Sequence, residues 1–445
     1  MKLEELVQEL RKNGVVGAGG AGFPSYAKLD QRADTIILNC AECEPLLKLH
    51  RQVLEKYAFE IMSTLDVIRE AVGAKRVCIG VKGSYRKTVN AVKAHLDSFP
   101  GMEISILPEM YPAGDEVVLI YEALGRIVPP GSLPISVGVT VFNVETILNA
   151  YYALKEEHPV VYKYVTVAGA VRNPITVKAP LGMTMEELVE LAGGATVEEY
   201  ALIGGGPMTG PIVNGYDTVT KTTNGLLVFP EHHPVVQKQR SSVSIDLKRA
   251  MSACCQCQLC TSLCSRNLLG HPIEPHMLMR NATSGVTKDV TPYINSMFCS
   301  QCGICEMYAC EQGLSPRKLL GAYKAGLRAA GVKPPVIEEA PVAKPEREYR
   351  RIPMARLKQR LGLQEYDLPA PLDDELVKAD RVKISLRQHI GAPAVATVKV
   401  NDTVEVGQVI GEVAADKLGV AIHASISGVV IDVNENFVMI QKKEK

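Results

Sequence analysis

Nine of the chain's twelve cysteines lie between Cys254 and Cys310. They include two runs of similar spacing: C-x2-C-x2-C-x3-C, at Cys254, Cys257, Cys260 and Cys264, and C-x2-C-x2-C-x4-C, at Cys299, Cys302, Cys305 and Cys310. A tight turn lets three thiolates at this spacing converge on one cubane, and in two-cluster ferredoxins the fourth cysteine of each run ligates the other cluster. The spacing therefore predicts two [4Fe–4S] clusters, with Cys310 completing the first and Cys264 the second.

Zinc is the main alternative for these cysteines. Zinc sites usually take two C-x2-C pairs rather than two runs of four, so the pattern favours clusters. The proline that follows the fourth cysteine in simple ferredoxins is absent, because Ser265 and Glu311 stand there. Cys255 is an additional thiol, either a bystander or a ligand in place of Cys254 or Cys257. Cubanes carry single electrons, so we expect a second redox centre in the chain or in a partner.

A glycine-rich stretch near the N-terminus, GVVGAGGAGFP at residues 14–24, is the candidate for that centre. It contains G-x-G-x-x-G at Gly17, Gly19 and Gly22. A dinucleotide-binding turn follows a strand and opens a helix, whereas here a predicted helix precedes the glycines and Phe23-Pro24 follows them. The backbone N–H groups suit a phosphate or flavin cradle. A glycine turn without a ligand is the alternative.

Composition excludes several classes of protein. Lys and Arg number 49, as do Asp and Glu, so nothing indicates a nucleic-acid partner. We expect no signal peptide and no transmembrane segment, because the first helix is amphipathic and no apolar run reaches about 18 residues. A cytoplasmic location is therefore expected, and the cysteines are not expected to form a disulfide framework.

The pattern of strands and helices along the chain predicts a multidomain α/β protein, whose elements must position these residues. Residues 1–160 alternate short apolar strands with helices, one of them long and covering residues 48–73. Residues 161–235 form a small β-rich domain around one helix, and residues 240–328 form the helical cysteine-rich domain. Proline and mixed charge predict a linker at 329–379. Short strands with turns predict an all-β module at 380–445.

Four motifs occur in a fixed order in the N-terminal domain: GAGGAGFPSYAKL (17–29), LNCAECEP (38–45), YPAGDE (111–116) and FNVETI (142–147). Together they resemble the FMN-binding domain of the NADH-oxidising subunit of respiratory complex I. With the two-cluster region, the chain is similar to the RnfC family of electron-transfer subunits. In RnfC a barrel-sandwich module precedes the flavin domain. Here that module is C-terminal, as in the PduS-type cobalamin reductases.

This resemblance implies the fold of each domain and the residues that contact FMN. The domains would be a complex-I-type FMN-binding α/β domain, an SLBB β-grasp domain, a helical di-[4Fe–4S] ferredoxin-like domain and a barrel-sandwich hybrid domain. Lys28, Asn143 and Thr146 would meet the FMN phosphate, and Asn39 and Glu42 would flank the ribityl chain or ring. The glycines implied to line the FMN are Gly17, Gly19 and Gly20.

The NADH contacts implied by the resemblance lie on the same motifs. Gly114 and Glu116 would face the nicotinamide, while Phe23 and Glu44 would meet the adenosine part. Ala18 stands where complex I has arginine, so the resemblance implies no nucleotide contact from that side chain.

The implied activity is NADH-dependent electron transfer through FMN and two [4Fe–4S] clusters to an external acceptor. By resemblance the acceptor is cob(III)alamin or cob(II)alamin. The implied partners are a corrinoid or a corrinoid adenosyltransferase and the shell proteins of a bacterial microcompartment, which would enclose the chain. Two alternatives stay open: a non-catalytic RnfC-like or proline-reductase-associated electron-transfer subunit, and a scaffold whose β modules dock partners.

Overall fold

A four-stranded parallel sheet organises the N-terminal domain. The computed structural model describes residues 1–337 and 341–443. The domain contains α1 (Leu3–Lys12), β1 (Thr35–Cys40), α2 (Leu49–Lys56), α3 (Ala58–Val72), β2 (Arg76–Lys82), α4 (Arg86–Lys93), β3 (Met102–Leu107), β4 (Met110–Tyr111), α5 (Glu116–Leu124), β5 (Val139–Asn143) and α6 (Val144–Lys155). The strand order is β3-β2-β1-β5, with every pairing parallel. The carboxyl ends of β1 and β5 thus form a topological switch point, where open α/β sheets bind ligands.

Helices cover both faces of this sheet. Ile36 and Leu38 on β1 belong to the same apolar core as α3 and α6, whereas Ile37 packs on the other face with α5. Burial on both faces explains why β1 is a continuous apolar run rather than an alternating one. The long helix expected over residues 48–73 is two helices, because the backbone at Tyr57 leaves the helical region at ψ 35°.

The second domain is a sheet around one helix, as the sequence indicated. It contains β6 (Tyr162–Gly169), β7 (Ile175–Pro180), α7 (Met185–Leu191), β8 (Tyr200–Gly204), β9 (Ile212–Val213) and β10 (Gly225–Pro230). Thr184 caps α7: its hydroxyl accepts from the N–H of Glu187, whose side chain accepts from the N–H of Thr184. The loop between β9 and β10 leads back toward the N-terminal domain.

The cysteine-rich domain is helical. Its helices are α8 (Pro234–Arg240), α9 (Val243–Ala253), α10 (Leu259–Ser262), α11 (Ser265–Leu268), α12 (Pro275–Ser284), α13 (Thr291–Asn295) and α14 (Pro316–Ala329). Apolar residues of α12 and α14 pack in one core with several of the cysteines. The cysteines themselves stand mostly in turns between these helices, where backbone can wrap around a bound group.

Residues 345–376, which we call the strap, lie within the segment predicted as a linker. The strap contains β11 (Ile352–Pro353), α15 (Met354–Arg360) and β12 (Leu372–Leu376). β11 pairs antiparallel with β4, and β12 pairs parallel with β7, so the strap joins the first two domains. The buried Arg347 pairs with Glu122 on α5. Residues 338–340 of the predicted linker, and 444–445 of the C-terminal module, lie outside the described residues.

The C-terminal module packs against the start of the chain. Its strands are β13 (Arg381–Ser385), β14 (Val395–Ala396), β15 (Thr403–Val404), β16 (Val409–Glu412), β17 (Ile422–His423), β18 (Gly428–Val433) and β19 (Phe437–Gln441), in two sheets. The guanidinium of Arg11 on α1 donates to the carbonyls of Ala414, Ala415 and Lys417 at 2.9–3.1 Å. The N–H of Ile390 donates to the carbonyl of Ala21 at 2.9 Å, so this module touches the outer side of the glycine-rich stretch.

Candidate functional site

A cavity of about 690 Å³ opens at the carboxyl ends of β1 and β5. Its volume lies within the usual range for a cofactor or small-molecule site, roughly 300–1,000 Å³. All twelve residues that the sequence suggested for FMN and NADH line it: Gly17, Gly19, Gly20, Phe23, Lys28, Asn39, Glu42, Glu44, Gly114, Glu116, Asn143 and Thr146. The four motifs, spread over about 130 residues, therefore meet at one site.

The glycine-rich stretch forms one wall of this cavity. It turns back on itself, with an isolated bridge between Val16 and Pro24. The N–H of Ala18 donates to Thr146 Oγ1 at 2.9 Å, so this threonine holds the stretch in place. At Gly20, which has φ of 59°, an added Cβ would meet nothing within 4 Å. That backbone therefore stands open for a ligand to approach.

Lys28, at the end of the first motif, and Asn39, in the second, cross-link other parts of the cavity wall. Lys28 Nζ lies 3.3 Å from Glu116 Oε1 and donates to the carbonyl of Val141 at 3.0 Å. Asn39 Nδ2 donates to the carbonyl of Gly114 at 2.9 Å. This contact joins the second motif to the third and fixes how closely the two approach.

Three residues that line the cavity carry a buried polar atom with no hydrogen-bond partner among the described residues: Ser25 Oγ, Glu42 Oε2 and Asn224 Oδ1. Burial also raises the pKa of Glu42. Buried polar atoms are almost always paired in native proteins, so unpaired ones on residues around a cavity indicate a polar ligand. FMN, with a donor- and acceptor-bearing ring, hydroxyls and a phosphate, fits this cavity.

Sequence reasoning did not assign several polar residues of the cavity to the cofactor, among them Ser25, His50 and Asn224. His50 Nε2 lies 2.9 Å from Asn143 Nδ2, and burial lowers the pKa of His50 to about 3, so the ring stays neutral and accepts this hydrogen bond. Asn224 comes from the second domain. No local motif marks His50 or Asn224, because each reaches the cavity through the tertiary fold alone.

Glu44 faces the second domain as well as the cavity. Its carboxylate accepts hydrogen bonds from the N–H of Met208 at 2.9 Å and from Thr209 Oγ1 at 2.6 Å. An added Cβ at Gly206 would lie 2.1 Å from this carboxylate, so the loop can approach it only with glycine there. Glu44 thus fastens the second domain to the cavity rim.

The cysteines gather in two sets. The first set, Cys254, Cys257, Cys260 and Cys310, lines a small cavity of about 120 Å³ together with Cys255. Burial, followed by the neighbouring charges of Cys310, Cys257 and Cys254, raises the pKa of Cys260 to about 12. Cys310, the last cysteine of the second run, therefore sits beside the first.

The second set comprises Cys264, Cys299, Cys302 and Cys305. Burial raises the pKa of Cys264 to about 12, and the neighbouring charges of Cys302 and Cys299 act in the same direction. Burial also raises the pKa of Cys305, and the neighbouring charges of Cys299, Cys302 and Cys264 raise it further. The structure therefore groups Cys264 with the later run, which is the crossed arrangement that the ferredoxin rule predicts.

Left-handed backbone shapes the turns between these cysteines. Gln256, Gln258 and Gln301 have φ of 55°, 66° and 61°, which is uncommon for residues other than glycine. The turn at Gln301 directs its backbone N–H toward Cys299 Sγ at 3.3 Å. Likewise the N–H of Leu314 donates to Cys310 Sγ at 3.3 Å. Such N–H groups stabilise the charge of a ligated sulfur.

The second set lies directly against the N-terminal domain. Tyr111, in the YPAGDE motif, donates from its hydroxyl to the carbonyl of Cys302 at 2.6 Å. Arg266, two residues after Cys264, pairs at 2.9 Å with Asp115, which caps α5. The first set lies farther out, where Cys257 is exposed. The second set therefore contacts the domain that holds the cavity, whereas the first set includes a ligand cysteine that solvent reaches.

Four known domain families match successive parts of this chain. The Nuo51 FMN-binding domain matches residues 10–152, the SLBB domain 164–212, the 4Fe-4S dicluster domain 253–315 and the RnfC barrel sandwich hybrid domain 373–445. Cobalamin reductase PduS of Salmonella typhimurium is 41% identical over 99% of this chain and 97% of its own length. The chain belongs to the PduS cobalamin reductase family. The PduS of Citrobacter freundii is also 41% identical, over 97% of this chain and 95% of its own.

Membership of the PduS family confirms the predicted fold class and the oxidoreductase class. The matched domains confirm FMN and two [4Fe–4S] clusters as the cofactors. A component of the proton-translocating ferredoxin:NAD(+) oxidoreductase complex of Clostridium ljungdahlii is 30% identical over 57% of this chain and 56% of its own. Among the described residues, no helix is long and apolar enough to span a membrane.

Proposed function

We propose that this protein takes electrons from NADH at the 690 Å³ cavity and delivers them to a corrinoid at the first cysteine set. The observation that carries this proposal is the contact of the YPAGDE motif with the second set, through Tyr111 and Cys302. When bound, FMN accepts a hydride and releases single electrons, which the two cubanes can carry. The names of the PduS relatives support cobalamin as the acceptor.

The residues of the cavity have separate tasks in this proposal. Gly17, Gly19 and Gly20 present backbone to FMN, and Lys28 contributes positive charge at the phosphate. Thr146 and Asn143 hold the phosphate-binding wall, since their side chains already order the glycine-rich stretch and the start of α6. The remaining proposed contacts are Asn39 and Glu42 for FMN and Phe23, Glu44, Gly114 and Glu116 for NADH.

The cysteines hold the clusters in crossed fashion. One cluster is held by the first set and the other by the second set, within residues 240–328. The flavin reactions take place in residues 1–160, with the domain at 161–235 behind the cavity. A corrinoid adenosyltransferase and microcompartment shell proteins are the proposed macromolecular partners, and the interior of a bacterial microcompartment is the proposed location.

NADH-dependent formation of cob(II)alamin by the purified, reconstituted chain tests this function. We expect cob(III)alamin to be reduced, as followed by its visible absorbance under anaerobic conditions. Replacement of Cys257 by alanine is expected to abolish this reaction while NADH still bleaches the flavin. The matched control is Cys255→Ala, which removes an exposed neighbouring thiol and is expected to keep full activity.

The subunit alternative gives a different result in the same assay. A non-catalytic electron-transfer subunit would reduce an artificial dye with NADH but leave cobalamin oxidised. That outcome would overturn the corrinoid step and retain the electron path. Absence of flavin and of cluster absorbance from the reconstituted chain would overturn the whole proposal in favour of a scaffold.

A further inference from the structure

A loop of the second domain, residues 220–224, runs along the outer side of the glycine-rich stretch. It touches that stretch at three places. An added Cβ would lie 2.5 Å from Lys221 Nζ at Gly14, 2.6 Å from Asn224 Nδ2 at Gly19, and 2.8 Å from Thr222 Cγ2 at Gly22. The two segments therefore approach more closely than side chains on the glycines would allow. The wall of the cavity is thus two layers thick, with each layer from a different domain.

Lys221 fixes this loop at a junction of three domains. The lysine is 1% exposed, and its Nζ donates to the carbonyl of Gly14 at 2.7 Å and to that of Ala421 at 3.2 Å. Its backbone N–H donates to Gln388 Oε1 at 3.0 Å. A loop tied in this way to the N-terminal domain and to the C-terminal module has a defined position relative to the cavity.

Asn224, at the end of the loop, reaches the cavity itself. Its Oδ1 is buried and has no hydrogen-bond partner among the described residues, and the residue lines the cavity beside Gly19 and Gly20. A buried amide oxygen without a donor costs about 1–3 kcal/mol, so a ligand that supplies a donor binds more tightly. The matched flavin-domain family ends at residue 152, and Asn224 lies outside it.

We propose that Asn224 is a flavin-binding residue supplied by the second domain, with its Oδ1 accepting a hydrogen bond from the ring or ribityl part of FMN. An acceptor cannot favour the phosphate, which at neutral pH offers acceptor oxygens and not donors. The ring N–H and the ribityl hydroxyls are donors. The second domain therefore completes the cofactor site, in addition to any partner that it docks. This inference rests on the occupancy of the cavity by FMN in the proposed function.

Flavin titration of the full chain tests the inference. The flavin is removed with both clusters retained, and FMN or riboflavin is then added while flavin fluorescence is followed. For Asn224→Ala we expect the Kd of both flavins to rise about tenfold, the effect of one buried hydrogen bond. For Lys28→Met we expect the Kd of FMN to rise and that of riboflavin to stay unchanged, because riboflavin lacks the phosphate.

Two further variants keep the result interpretable. Asn436→Ala, at an exposed turn of the C-terminal module, is expected to match the wild type. If Asn224→Ala does not fold with its full iron content, Asn224→Ser replaces it, with the same expected loss because the shorter hydroxyl does not reach the ligand. Unchanged Kd values in a folded Asn224 variant, or a loss seen with FMN alone, would overturn the inference. Failure of the wild type to bind FMN would instead overturn the proposed function.

Discussion

The two cysteine sets have almost the same spacing in the sequence and very different surroundings in the structure. In the second set, Cys264 and Cys305 are 9% and 7% exposed, and the set contacts the N-terminal domain through Tyr111. In the first set Cys257 is exposed, and the preceding helix α9 also exposes Met251. Equal ligand spacing therefore does not imply equal positions along an electron path.

The charged residues next to the two cysteine sets also differ in burial. Glu306 follows Cys305 and is fully buried, where Arg317 pairs with it at 3.1 Å. Glu311 follows Cys310 and is largely exposed, paired with Arg360 at 3.3 Å. Removal of one partner of a buried ion pair lowers the stability of the fold strongly, because the other charge stays buried and unpaired. An exposed ion pair contributes little to that stability. Protein thus encloses the second set more fully than the first, in both its cysteines and the adjacent ion pair.

Alanine replacement of single cysteines has the largest expected effect. Cys302→Ala and Cys264→Ala should each remove the cluster held by the second set, which we call the inner cluster. Cys257→Ala and Cys310→Ala should each remove the cluster held by the first set, which we call the outer cluster. Iron should fall from about eight to about four atoms per chain in all four variants, because each cubane holds four irons. Iron analysis and electron paramagnetic resonance of the reduced protein provide the measurement.

The crossed grouping makes this experiment specific. Cys310→Ala should give the same resonance spectrum as Cys257→Ala, and Cys264→Ala the same as Cys302→Ala. If Cys310→Ala instead matched Cys302→Ala, the two runs would each hold their own cluster. FMN content should be unchanged throughout, and a loss of flavin together with iron would contradict the separation of the two sites.

Arg317→Met should have the next largest effect, on stability. It leaves the carboxylate of Glu306 buried without its cation, and removal of one partner of a buried pair costs about 3–5 kcal/mol. Arg360→Met breaks the exposed pair at the other set and should cost less than about 1 kcal/mol. The free energy of unfolding, measured with urea on the holoprotein, compares the two. Equal losses would contradict the difference in burial.

Tyr111→Phe should have a smaller effect on stability. The substitution lies between the flavin site and the cluster held by the second set. It removes the hydroxyl that donates to the Cys302 carbonyl and should lower the unfolding free energy by about 1–3 kcal/mol. Reoxidation of the reduced flavin by the clusters should slow as the contact loosens, which stopped-flow absorbance can measure. Tyr323→Phe is the control, since Tyr323 packs on Tyr293 and its hydroxyl forms no hydrogen bond in the described residues. If flavin reoxidation were equally slow in Tyr323→Phe, the slower rate of Tyr111→Phe could not be attributed to the lost contact with Cys302.

Local patterns predicted the parts of the site that depend on local geometry. The cysteine spacing predicted the turns, and the ferredoxin rule predicted the neighbourhood of Cys310. The resemblance to flavin domains supplied the twelve cavity residues. In contrast, Asn224 reaches Gly19 across about 200 residues of chain, and its neighbours have no periodic pattern. The strap was predicted as a linker because of its prolines and mixed charge, although β11 forms a two-stranded sheet with β4 and β12 adds an edge strand to the sheet of the second domain.

The contact between Arg11 and the C-terminal module bears on gene architecture. The module at 380–445 rests against α1 and the glycine-rich stretch, close to where the flavin domain begins. A copy of the same module fused ahead of the flavin domain, the order described for RnfC, could occupy the same surface over a short connection. Such a fusion would keep the module beside the glycine-rich stretch, because the ends of domains usually lie at the surface. The contact between Arg11 and Ala414 joins residues that are 403 positions apart in the sequence, so it depends on the folded arrangement and not on where the module stands in the gene.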